Sequence, residues 1–187
     1  DNVPRSGPLI IAPNHRSYLD PMAVAAALPT ERLVQLWWAG SSQVMASTAP
    51  RRWASRILRV LPVEEGRRPG MGLALAEIVL GRGDAVVWFP EGRRAPDGEI
   101  IAFQPGIGRL VERTDVPILP VAIEGTGKAW GLDRRWPRPG AVRIRFGRPI
   151  APAELLSPEE TPDDPAERYR AIAAALRARV EGLSKSE

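Results

Sequence analysis

Short apolar runs alternate along the chain with segments of helical periodicity. Leu9 to Ala12 form an apolar run between Gly7-Pro8 and Pro13-Asn14, as expected of a buried strand. Asp20-Pro21 reads as a helix start, with aspartate at the N-cap and proline in the first turn; Met22 to Leu28 continue the helix and Pro29 ends it. Residues 33–38 (LVQLWW) predict a second strand, Pro50 to about Arg59 a helix, and Leu61-Pro62-Val63 a short strand. Met71, Leu75, Ile78 and Val79 recur at helical spacing until Gly81-Arg82-Gly83 stops them. Asp84 to Phe89 predict a buried strand broken by Pro90, Pro105-Gly106 a helix through Arg113, and residues 116–123 another strand. Residues 141–146 alternate like a half-exposed strand, and residues 157–165 read as a surface loop. From Pro165 to about residue 182, Tyr169, Ile172, Leu176 and Val180 mark an amphipathic helix.

Strands alternating with helices predict an α/β fold, a largely parallel mixed sheet flanked by helices. At 187 residues the chain fits one domain, with a core over about residues 2–150 and the terminal helix added to it. Cysteine is absent, which excludes disulfides, thiolate metal sites and a cysteine nucleophile. No apolar run is long enough to span a bilayer. The first residue is not methionine, and the chain reads as a segment of a longer polypeptide.

Net charge is +4, and all but two of the 26 basic residues are arginine. Such a balance suits nucleic acid, anionic lipid or phosphorylated substrates. The arginines are scattered over many segments with no zinc spacing or reading motif, so a nucleic-acid module is disfavoured. Arg51, Arg52, Trp53, Arg56, Ile57, Leu58 and Arg59 fall in one predicted helix, with Trp37 and Trp38 nearby in sequence. Cationic and aromatic side chains suit a lipid headgroup interface. The competing expectation is a surface helix whose apolar stripe enters the core.

The candidate chemistry lies in two segments that follow strands. His15 is the one histidine, five residues before Asp20, just past the first predicted strand. Ligands gather at the carboxyl edge of open α/β sheets. A neutral imidazole there can take a proton from a hydroxyl when a carboxylate fixes its other nitrogen. This is the orienting half of a Ser-His-Asp triad, without the serine. The same residues also fit a structural histidine beside a helix-capping aspartate. The second segment, "WFPEGRRAPDG" at residues 88–98, follows another strand end. Gly92 permits close backbone approach, and Arg93 or Arg94 offers a planar fork for phosphate. Pro96-Asp97-Gly98 equally suits a plain surface turn.

Taken together, these segments resemble the glycerolipid acyltransferase superfamily, the lysophosphatidic acid acyltransferase or PlsC-like group. Asn14-His15, four residues and Asp20 match its first motif. Phe89-Pro90-Glu91-Gly92 and Arg94 match its third, with Arg93 and Ala95 in place of Thr and Ser. Ile118 to Ile123 are similar to its Val-Pro-Val strand. The resemblance implies that His15 is the general base for the acceptor hydroxyl and Asp20 orients it. It places Asn14, Glu91, Gly92, Arg93 and Arg94 at the acceptor.

It further implies transfer from acyl-CoA or acyl carrier protein to a lysophospholipid such as 1-acylglycerol-3-phosphate. No cofactor, metal or covalent acyl-enzyme is required, and backbone N–H groups near the loop would hold the oxyanion. The implied location is cytoplasmic, peripheral at the inner membrane face. One departure stands at the second motif: Leu61-Pro62-Val63 is followed by Glu64-Glu65 where an Arg is expected. Arg67 or Arg68 would then take over the phosphate, or the acceptor is a lipid alcohol without glycerol phosphate. A lipid or acyl-carrier binding module without catalysis is the other reading. "EGRRAPDGEI", "FQPGIGRL" and "PVAIEGT" also resemble acyltransferase domains fused to acyl-activating ligase domains in bacterial proteins.

Overall fold

Successive side chains of a strand point to opposite faces, and here both faces are apolar. In β1 (Leu9–Pro13) all five residues are buried. Ile10 and Ala12 enter one core cluster, Leu9 and Ile11 the other. A strand of this kind belongs in the middle of a sheet with helices on both sides. The computed structural model, which describes residues 2–41, 48–63, 70–95, 99–132 and 135–185, has that arrangement.

The remaining strands are β2 (Leu36–Ser41), β3 (Val60–Val63), β4 (Ala85–Val87), β5 (Ile118–Glu124) and β6 (Arg143–Phe146). The helices are α1 (Asp20–Ala27), α2 (Thr30–Leu33), α3 (Ala49–Ile57), α4 (Gly70–Gly81), α5 (Pro105–Thr114), α6 (Thr126–Trp130) and α7 (Pro165–Lys185). One six-stranded sheet runs β3-β2-β4-β1-β5-β6. Every neighbouring pair is parallel except β5–β6. The expected α/β class with a largely parallel sheet is therefore correct.

On one face α4, α5 and α7 close the larger cluster: Leu73, Ala76 and Leu80, then Ile107 and Leu110, then Ile172, Leu176 and Val180. The terminal helix is thus part of the main core. On the other face Val24 of α1 and Leu28 pack against Leu9, Ile11, Val87 and Val121.

Two expectations are corrected. The strand placed at 33–38 begins at Leu36, because residues 30–33 form the helical turn α2, and Val34 is 63% exposed. Arg32 drives that shift. Fully buried, its guanidinium donates to the carbonyls of Pro4, Ser6 and Gly7 and pins the amino-terminal segment. Second, Asp20 is not the N-cap; Leu19 holds that position, and no side chain caps the helix. Trp37 and Trp38 stand next to Arg59, just past the end of α3: the Arg59 guanidinium lies 5.7 Å from the Trp37 ring centroid, and the Arg59 carbonyl accepts the Trp38 N–H at 3.0 Å. They lie half-buried in β2, and the Trp37 indole donates to Asp84 at 2.9 Å.

The short helix α6 escapes the periodicity reading. It is set by Gly125, whose φ of +86° opens the turn and where a Cβ would lie 2.0 Å from the Ala141 carbonyl oxygen.

Candidate active site

β1 and β4 are parallel neighbours, so the loops leaving their carboxyl ends emerge at the same sheet edge. This brings residues 14–20 against residues 89–95. Asn14 starts the first loop. It is buried, its amide nitrogen donates to the Ile123 carbonyl at 3.1 Å, and its amide oxygen accepts the Ile123 N–H at 2.7 Å. Its expected place at the acceptor gives way to a structural role, tying the loop to β5.

The chain then turns back on a single carboxylate. Asp20 is fully buried, and its Oδ2 accepts the Arg16 N–H at 2.6 Å and the Ser17 N–H at 2.7 Å. The His15 Nδ1 lies 2.8 Å from the same oxygen. A carboxylate acceptor fixes the proton on Nδ1 and leaves Nε2 as the basic nitrogen. Among the described residues Nε2 has no partner, and the His15 side chain is 20% exposed. The ring is neither walled into the core nor loose in solvent, and it leans on Phe89 with centroids 4.2 Å apart.

The second loop holds the first. Glu91, 1% exposed, accepts the His15 N–H at 2.7 Å through Oε1 and the Ile101 N–H at 3.3 Å through Oε2. The Ala95 N–H donates to the His15 carbonyl at 2.9 Å. The histidine backbone is therefore gripped on both sides by the 89–95 loop. Gly92 turns that loop with φ of +71°, its N–H returning to the Phe89 carbonyl. Burial pushes the Glu91 carboxyl up to about 7; the backbone N–H groups of His15 and Ile101, with the field of Arg16, oppose the shift, while Asp20 adds to it. Glu91 touches the first loop's backbone, so its geometry is that of a brace.

Arg94 lies over the Tyr18 ring, 3.7 Å from the centroid, and its Nη2 donates to the Tyr18 hydroxyl at 3.0 Å. Tyr18 in turn meets the Trp130 ring of α6 at a tilt, with centroids 5.6 Å apart, and the Ser17 hydroxyl donates to the Trp130 carbonyl. Arg93 is exposed. Arg67, Arg68, Glu64 and Glu65 lie outside the described residues, as does the Pro96-Asp97-Gly98 turn.

The family model described as Acyltransferase matches residues 1–124, a stretch that contains both loops. The chain belongs to the acyltransferase family. Its relatives include the 1-acyl-sn-glycerol-3-phosphate acyltransferase alpha of Mus musculus, 28% identical over 168 residues, covering 86% of this chain and 56% of that protein. The Homo sapiens protein of the same name is 27% identical over 166 residues, again covering 86% and 56%. The chloroplastic acyltransferase BAT2 of Brassica napus is 27% identical over 165 residues, covering 85% and 46%. The chain thus spans about half the length of these curated relatives. Among solved structures, the 1-acyl-sn-glycerophosphate acyltransferase PlsC of Thermotoga maritima superposes with a TM-score of 0.75 at 24% identity, over 100% of this chain and 70% of that one. This likeness establishes the fold.

Within this member of the acyltransferase family the structure brings together His15, Asp20, Glu91, Gly92 and Arg94. It adds three residues that the sequence reading passed over: Arg16, Tyr18 and Trp130. Tyr18 was hidden inside the four-residue spacer, and Trp130 in an unpredicted helix. Five backbone N–H groups of the first loop are already engaged and so do not serve as oxyanion donors. The N–H groups of His15, Arg16, Ser17, Leu19 and Asp20 are occupied by Glu91, Asp20, Asp20, the Ser17 hydroxyl and the Ser17 carbonyl respectively. Those five amides hold the loop.

Proposed function

We propose that the chain transfers a fatty acyl group from a thioester, on coenzyme A or acyl carrier protein, to the hydroxyl of a lysophospholipid such as 1-acylglycerol-3-phosphate. The observation that carries this reading is the 2.8 Å contact between His15 Nδ1 and a buried Asp20, with Nε2 unpartnered and the ring partly open. The acceptor hydroxyl gives its proton to Nε2 as its oxygen attacks the thioester carbonyl. The tetrahedral intermediate collapses, the C–S bond breaks, and the thiolate takes the proton back from the imidazolium. Asp20 stabilises the transient imidazolium and holds the tautomer, without taking the proton. The acceptor supplies the nucleophile, so neither a covalent acyl-enzyme nor a cofactor enters the scheme. Arg94 binds the acceptor phosphate, with Arg93, Arg67 and Arg68 in the same basic segments; Gly92 allows close approach.

Peripheral contact with the inner face of a membrane completes the proposal. It is supported by α3 and the residues just after it. Trp53, Ile57 and Leu58 are 68%, 59% and 60% exposed, beside exposed Arg56 and Arg59. The apolar stripe therefore does not enter the core. Among the described residues no helix is long and apolar enough to cross a membrane.

The test is a panel of lyso-lipid acceptors, with and without phosphate, against acyl-CoA and acyl carrier protein donors, read by mass spectrometry of the products. Phosphorylated acceptors gaining one acyl group is the expected result. Thioester hydrolysis alone, or no turnover with any pair, overturns the reading.

A further inference from the structure

β5 is parallel to β1, so the chain leaving Glu124 emerges at the sheet edge where His15 stands, and it makes an excursion there before returning as β6. The excursion is held by backbone contacts. Gly125 lies against the Ala141 carbonyl, and the Arg138 N–H donates to the Ala129 carbonyl at 2.8 Å. Pro137 and Pro139 flank Arg138 and fix two further backbone angles. On its other side α6 meets the histidine loop, through the Ser17–Trp130 hydrogen bond and the Tyr18–Trp130 ring contact. The excursion is thus tied, through α6, to the loop that carries His15.

Trp136 in this segment is 73% exposed, the most open large apolar side chain among the described residues. Leu132 and Tyr18 are exposed as well. A single exposed apolar residue is ordinary, but three gathered at one edge mark an interaction surface. Cations accompany them. Lys128, Arg135 and Arg138 are exposed and form no ion pair among the described residues, whereas Arg143 and Arg145, farther along, pair with Glu124. Asp133 is the one acid between Glu124 and Glu154.

Indole, aliphatic and cationic side chains on a held backbone suit a bilayer interface. The indole rests at headgroup level, and the cations meet lipid phosphates. An acidic protein would be drawn by the same cations, but the exposed tryptophan and leucine favour the bilayer, where they reach the acyl boundary.

We infer that Leu132, Arg135, Trp136 and Arg138 form a docking surface for an anionic bilayer, which sets the His15 edge against the membrane. The inference deepens the peripheral-contact reading and rests on it, but not on acyl transfer. Its surface is separate from α3, which leads into the amino end of β3, the strand at the opposite side of the sheet from β6.

The experiment floats the full chain, without substrate, on vesicles of phosphatidylcholine alone and of phosphatidylcholine with phosphatidylglycerol. Arg135→Gln/Arg138→Gln should weaken partitioning onto the anionic vesicles by on the order of tenfold and change little on the neutral ones. Trp136→Ala should weaken it several-fold on both. Trp136→Phe should recover part of that loss, and it serves if the alanine variant does not fold. Quenching of tryptophan fluorescence by brominated lipid should be smaller in Trp136→Phe than in the parent, which attraction by charge alone would not produce.

Equal partitioning and equal quenching in the parent and these variants overturn the inference. So do variants that float like the parent but lose binding to an acidic acyl carrier protein. Flotation that survives Trp53→Ala/Ile57→Ala and is lost with the excursion variants supports this surface and sinks the α3 contact alone; the reverse pattern sinks this surface alone. Flotation that depends on Trp136 in a chain that transfers no acyl group supports the surface and sinks the transfer reading.

Discussion

Asp20 and Glu91 are both buried carboxyls at the same sheet edge, and they do opposite things. Asp20 gathers two backbone N–H groups of its own loop and the ring of His15, so its charge is directed at the imidazole. Glu91 gathers a backbone N–H from His15 and another from Ile101, so its charge is directed at the frame. One holds the imidazole and the other fixes where the histidine stands. A carboxylate's role in a motif follows from what it faces, and residue type alone does not give it.

The sharpest way to break the contrast is at the base. His15→Ala should lower acyl transfer about 10³-fold or more while far-ultraviolet circular dichroism stays that of the parent. Substantial turnover by this variant would remove the imidazole from the mechanism. Asp20→Asn should cost about 10²–10⁴ in rate, because an amide cannot hold the reactive tautomer in the same way. It should also lower the melting temperature, since two backbone N–H groups lose a charged acceptor.

Glu91→Gln should act mainly on stability, by about 1–3 kcal/mol in denaturant titration, with a smaller loss of rate through a displaced His15. Its pH dependence is the better discriminator. With the folded carboxyl at about 7 against an ordinary 4.5, the folded state binds more protons between those values. Stability from this group therefore falls as pH rises from about 4.5 to about 7 and then levels. The difference between the parent and Glu91→Gln should follow that slope; a flat difference would mean that Glu91 is not the buried brace described. Smallest of all, Trp53→Ala/Ile57→Ala should reduce flotation with anionic vesicles a few-fold and leave both carboxyl-dependent effects untouched. Equal flotation would detach α3 from the membrane.

Much of the frame was legible along the chain. β1, β4 and β5 announce themselves as apolar runs bounded by proline, and α4, α5 and α7 by period and punctuation. α2 was misread because Leu33 and Val34 look like strand residues, whereas the buried Arg32 and its three carbonyl acceptors decide the turn. α6 was missed because its cause is a close approach of Gly125 to Ala141, two positions far apart in sequence. In the site, the His15–Asp20 pairing was readable because five residues can fold back locally. The reassignment of Asn14 was not, since its partner is Ile123 on another strand.

Local order along the chain determined the class of fold, the edge where the two loops meet, and the pairing of the histidine with the aspartate. These depend on hydrophobic period and short-range turns, which act between near neighbours. Only the tertiary structure decided that Glu91 braces the histidine, that Tyr18 holds Arg94, and that Arg16 keeps a buried N–H unpaired. Those facts depend on parallel strands bringing distant loops to one edge, where burial makes each hydrogen bond, or its absence, count.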